Sequence, residues 1–211
     1  MSKKRIWSVA GLVAAGVVVI AGVWSQMSHV EEPRFVSVQT EGAVEIRDYP
    51  ELIAAQARVQ GNRDVAISEG FRLIADYIFG NNSTSKKVEM TAPVTQQTSE
   101  KIAMTAPVTQ QGAGNEWSVQ FIMPASYTME TLPKPNNPAV ELVKVEPKRL
   151  AVIKFSGVAN ETLLAGKTAE LNAFVASKNL KALAAPTYAF YNPPWTLGMF
   201  RRNEIMVEVA K

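Results

Sequence analysis

The chain has 211 residues, 47% of them hydrophobic, enough apolar material for one domain with a core plus an appendage. It has no cysteine and one histidine, His29, which excludes disulfides, thiolate metal sites, a cysteine nucleophile and, in the body beyond His29, a Ser-His-Asp triad. The formal charge of +3 comes from Lys3, Lys4 and Arg5; the other 19 basic residues match 19 acidic ones, so bulk electrostatics give nucleic-acid binding no support.

After this basic tip, residues 6–24 (IWSVAGLVAAGVVVIAGVW) carry no charge. As a helix they span about 28 Å, close to the thickness of a bilayer core. Trp7 and Trp24 stand at its two ends, where interfacial rings lie. Positive charge precedes the stretch and predicts a cytoplasmic N-terminus with the body across the membrane. Residues 1–27 thus read as a basic tip and single transmembrane anchor, and 28–43 as a tether and entry strand. The rival reading is a cleavable signal peptide, whose apolar region is shorter and ends in a small-x-small site. Here IAGVWSQMS places Trp24 and Gln26 where that site belongs.

Residues 44–61 (VEIRDYPELIAAQARVQG) read as a strand, a turn at Asp48-Tyr49-Pro50 and a second strand. Residues 140–157 (VELVKVEPKRLAVIKFSG) echo that grammar 96 residues later, with the turn at Pro147. Each hairpin-like unit precedes a helix. In AISEGFRLIADYIFG, Ile67, Phe71, Ile74 and Ile78 form one apolar face and Gly80 supplies the stop. The second helix opens at Asn160 as N-cap, carries Leu164, Leu171, Phe174 and Val175, and stops near Lys178 and Asn179. VEMTAPV, IAMTAPV, WSVQFIMP, PTYAFYNPP and IMVEV supply further strands. The pattern predicts an α+β fold: a barrel-like curved antiparallel sheet of two pseudo-repeated halves, each with one packed helix.

The phrase MTAPVTQQ occurs twice, from Met90 and from Met104. Alternation puts Val88, Met90 and Ala92 on one face, and Ile102, Met104 and Ala106 on the matching face of the second copy. Pro93 and Pro107 break each strand or place it at an edge. One reading is a duplicated strand packed through its Met side. The other is that Met90 and Met104 line a ligand groove, where thioethers adapt to flat apolar ligands.

Six segments in register carry a family resemblance: EIRDYPELIAA, EGFRLIADYIFGNN, KIAMTAPVTQQ, WSVQFIMP, LPKPNNPAVEL and YNPPWTLGMFRRNEIMVEV. With them the chain resembles the SOUL haem-binding protein family over residues 36–210, as a bacterial member with an N-terminal hydrophobic segment. The resemblance implies a barrel-like fold and tetrapyrrole binding. Together with the anchor it implies a single-pass protein of the bacterial inner membrane, its body periplasmic, or a periplasmic or secreted one if the segment is cleaved. Some members are thought to use a His near the first helix; here GNRDVAISEGFRLI offers none. Haem therefore binds without His ligation, or through Met or Tyr, or not at all.

The expected slot is the closing segment. Tyr191, Trp195, Leu197 and Met199 are crowded there, with Arg201 and Arg202 beside them for the carboxylates of a planar ligand. These residues equally serve as a barrel corner and a solvated Arg pair. Arg63 and Arg72, near the start of the first helix, are secondary candidates for propionates. No phosphate loop, HExxH motif or singled-out carboxylate pair marks an enzyme, and no dedicated metal site is seen. The leading expectation is non-catalytic capture of haem or a related tetrapyrrole by a module tethered through residues 6–24. The alternative is a membrane-surface adaptor that binds a protein or another small amphiphile.

Overall fold

The computed structural model describes residues 30–84, 99–113, 115–193 and 195–211. Strand β1 (Val36–Glu41) turns at Gly42, whose φ of +59° suits glycine, into β2 (Val44–Tyr49). Then follow β3 (Leu52–Gln60), helix α1 (Arg63–Ile78), β4 (Asn82–Ser83), β5 (Val108–Ala113) and β6 (Glu116–Ile122). The second part has β7 (Lys134–Pro135), β8 (Val140–Val145), β9 (Lys148–Phe155), helix α2 (Glu161–Ser177), β10 (Thr187–Phe190) and β11 (Asn203–Val209). Nine strands make one curled antiparallel sheet in the order β1-β2-β9-β11-β10-β5-β6-β3-β8, and β4 pairs with β7. This is the α+β, barrel-like architecture expected from the sequence.

The expected hairpins are not hairpins. Strand β2 pairs with β1 and with β9, where Arg47 faces Leu150, while β3 pairs with β6 and with β8, where Ala55 faces Leu142. Each link between the paired segments is two residues, Pro50-Glu51 and Glu146-Pro147. A two-residue hairpin turn needs positive φ, and proline holds φ near −65°. The tight turn is denied, and each link instead carries the chain to a different part of the sheet.

Both helices lie on one face of the sheet. Asn62 caps α1, its Oδ1 accepting from the Val65 amide at 2.9 Å. Ala66, Gly70, Ile74, Tyr77 and Ile78 are buried against Ala55, Ala57, Val119 and Phe121. Phe71, expected in the stripe, sits at its exposed flank, its ring 5.7 Å from that of Phe121. Asn160 caps α2 as expected, accepting from Leu163, and Asn179 ends it at φ +54°. Leu164, Leu171 and Val175 pack on Ala151, Ile153, Ile205 and Val207. Strand β1 lies at the sheet edge with all six residues exposed.

The second copy of the doubled phrase departs from its expected strand. Residues 101–104 have no strand pairing, Thr105 makes an isolated bridge, and β5 begins only after Pro107. Ile102 is buried and Met104 is 43% exposed, so the two do not share a face. The amide of Ile102 donates to the Ile78 carbonyl at 3.0 Å and the Thr105 hydroxyl donates to the Ile122 carbonyl. These anchors hold the segment as an irregular crossing rather than a pleated strand. The first copy, with Met90, lies outside the described residues.

The expected localisation requires correction. Among the described residues no helix is long and apolar enough to cross a membrane, so the fold gives no support to a single-pass inner-membrane protein with a periplasmic body. Residues 6–24, on which that expectation rested, lie outside the described residues.

Candidate functional site

The face of the curled sheet opposite the two described helices carries an open groove. Alternation sends every second side chain there. Leu52, Ile122, Leu150 and Met206 give it an apolar surface, and Thr109, Gln111, Ser118, Gln120 and Thr187 a polar one. The two proline links bring Tyr49, Pro50, Val145 and Glu146 to its edge, and Glu32, Pro33 and Phe35, just before β1, form a wall.

Beside that wall lies a buried ionic network. The Glu204 side chain has no exposed surface. Arg47 donates to it through Nη1 at 2.9 Å and Nη2 at 3.3 Å, Tyr191 Oη donates at 2.6 Å, and Arg202 Nη2 donates at 2.9 Å. Arg47 also donates to Glu45, and Arg202 donates to both oxygens of Glu32 at 2.9 and 3.0 Å. The two guanidiniums stack on groove rings, Arg47 4.3 Å from the centre of Phe35 and Arg202 3.7 Å from that of Tyr191. Phe35 in turn meets Tyr49 at 5.3 Å.

Burial alone would push the Glu204 carboxyl up. Hydrogen bonds from Arg47 and Tyr191 and the charges of both arginines outweigh it and hold the group below its ordinary value. Burial, followed by the charge and hydrogen bond of Glu204, raises the Tyr191 hydroxyl, which stays protonated as a donor. Burial also raises Tyr49, against the hydrogen bond from Arg47.

Of the residues singled out in the sequence, Tyr191 lines the groove. Arg202 is engaged by Glu204 and Glu32, and Arg201 Nε donates to the Thr196 carbonyl at 2.7 Å. Trp195 (82% exposed), Leu197 and Met199 stand on the loop between β10 and β11 and do not line the groove. Met104 is likewise at the surface. Arg63 donates to the Ala159 carbonyl at 3.3 Å and pairs with Asp64, while Arg72 is exposed and pairs with Glu69. Sequence reasoning missed Phe35, Arg47, Tyr49 and Glu204. The inward phase of β11, Glu204-Met206-Glu208, held a signal: two acids share the face opposite the helices. Among the described residues no cluster of His, Cys, Asp or Glu could hold a metal ion.

The protein is an α+β fold in which a curled antiparallel sheet carries both described helices on one face and an open amphipathic groove on the other. The profile of the SOUL haem-binding protein family matches residues 30–208, and the chain belongs to that family. No curated protein matches the chain. Among solved structures, the C-terminal domain of EcmrR is similar at 10% identity and a TM-score of 0.58, over 80% of this chain and 97% of that one. A hydrolase from Listeria innocua is similar at 14% identity and 0.52, over 82% and 94%. An uncharacterized conserved protein from Listeria innocua is similar at 12% and 0.51, over 88% and 96%. At these identities the likeness is one of fold.

Proposed function

We propose that the domain is a non-catalytic binding module that captures a planar tetrapyrrole in the groove, by burial of the ring rather than by ligation of its metal. Family membership supports the ligand class. The observation that carries the binding mode is the donor chemistry of the groove. Residues 30–211 contain no His or Cys. The groove residues of the types that commonly ligate haem iron are Tyr49, Tyr191 and Met206. The Tyr191 hydroxyl is committed to Glu204, burial keeps both phenols protonated, and Met206 is buried among Leu150, Val152 and Ala189. The residues therefore suit a flat apolar ring and do not suit an axially ligated iron. Apolar contact at about 25 cal/mol per Å² supplies the attraction, reduced by ordering costs.

The test is paired absorbance titrations of the full chain with haemin and with metal-free protoporphyrin. Both are expected to saturate, with affinities within about threefold of each other, because ring burial is common to both. Phe35→Ala should weaken both by about tenfold through lost contact with the ring, and Trp195→Ala and His29→Ala should change neither. If Trp195→Ala weakens binding and Phe35→Ala does not, the site belongs on the β10–β11 loop. If neither ligand saturates, tetrapyrrole capture fails, and an adaptor that binds a protein or another amphiphile takes its place.

A further inference from the structure

The hydrogen-bonding inventory of the groove has a direction. Gln111 Nε2 donates to the Ala185 carbonyl at 2.8 Å, and Gln120 Nε2 donates to Gln56 Oε1 at 2.6 Å. The Thr109 hydroxyl donates to the Gln120 carbonyl at 3.4 Å. One N–H of each glutamine amide and the Thr109 hydroxyl are thus engaged within the protein, while the side-chain carbonyl oxygens of Gln111 and Gln120 accept from no described group. Ser118 Oγ is buried and has no partner among the described residues. A buried hydroxyl without a partner is costly and suits a ligand that supplies one.

Charge points the same way. Of the three groove carboxylates, Glu32 is held by Arg202, but Glu146 and Glu208 form no ion pair among the described residues, and one ammonium, Lys148, lines the same groove. Glu208 is half-buried, two residues beyond Met206 on β11. Met206 faces Thr187, Thr187 faces Gln111 and Gln111 faces Ser118, so a polar row runs from the Glu208 end of β11 across β10, β5 and β6. The walls already accept cations: Phe35 and Tyr191 each carry a guanidinium on one ring face.

We infer that the groove takes a planar organic cation with N–H donors, its charge against Glu208 and its ring between the aromatic wall and the apolar floor. This is independent of tetrapyrrole capture, whose ligands carry carboxylates of the opposite charge, and stands on the groove's acceptors and charge. Such a ligand satisfies the unpaired carboxylate and the unused acceptors together, through charge-assisted hydrogen bonds.

Proflavine, a planar diamino cation, is the probe, titrated by fluorescence into the full chain, with acridine carboxylate as the same ring system bearing the opposite charge. Proflavine is expected to saturate and to bind about tenfold tighter than the carboxylate. Glu208→Gln, which keeps the shape and breaks no internal pair, should weaken proflavine by about tenfold and leave the carboxylate unchanged or tighter. Ser118→Ala should weaken proflavine by about threefold, a second reading independent of charge. The inference is overturned if the carboxylate binds as tightly as proflavine, or if Glu208→Gln leaves proflavine affinity unchanged. Haemin binding without proflavine binding also overturns it; proflavine binding without haemin binding supports it and removes the tetrapyrrole reading instead.

Discussion

Glu204 is buried from solvent, yet it stays charged, because two guanidiniums and a phenol replace its hydration. A buried pair of this kind adds little over an apolar pair of equal shape, but removing one member strands the other. Glu204→Gln leaves Arg47 Nη1 and Nη2 facing a neutral amide, with Nε still held by Glu45, and should cost about 2–3 kcal/mol, read as a lower urea midpoint with unchanged slope. The folded group titrates below its ordinary 4.5, so its contribution is complete above pH 4.5 and is lost as pH falls through the folded value. The Glu204→Gln protein should therefore lose less stability than the parent below that pH. None of this was legible in the sequence as a pair, since 157 residues separate Arg47 from Glu204. Only an acid on the inward phase of a buried strand was there to be read. The aromatic loop misled for the opposite reason: Trp195 and its neighbours have the composition of a pocket, but composition does not say which way a loop turns.

At the scale of elements, the helices were readable and the strand pairing was not. A helix is a local object, and Asn160, Asn179 and Gly80 are local signals that the structure uses where expected. Pairing is set by where a chain goes after a turn, and the two prolines send it away from the hairpin that alternation alone suggests. The two helical glycines show what packing adds to propensity. A Cβ on Gly166 would meet nothing within 4 Å, so Gly166→Ala should stabilise by up to about 1 kcal/mol through helix propensity. A Cβ on Gly70 would stand 2.5 Å from Val119 Cγ2, beneath the helix, so Gly70→Ala should lift α1 from β6 and destabilise by about 1–3 kcal/mol despite the same propensity gain. Thermal melts of the two variants beside the parent should move in opposite directions.

For the domain as a whole, the crossed links remove any clean line of separation. Strand β2 is held by β9 and β3 by β8, so the first strand pair depends on the second for its hydrogen bonds. The cores under α1 and α2 should accordingly unfold together. Native-state hydrogen exchange at Ile74 and Leu171, the buried centres of the two helices, should report the same opening free energy as global unfolding. A lower value at one of them would mean that the sheet parts between β10 and β5. The curl, the helix-free face and the groove were legible only as a fold class; their charge and acceptor content required knowing which strands are neighbours.

Strand β1 stands apart from this cooperation. All six of its residues are exposed, including Val36 and Val38, and among the described residues it is bonded on one side only, by β2. Its outer backbone groups form a ready template for an extended segment of another molecule, with no unfolding needed first. Concentration is then the variable expected to bring native copies together at this edge, read as an elution volume that shifts across a dilution series.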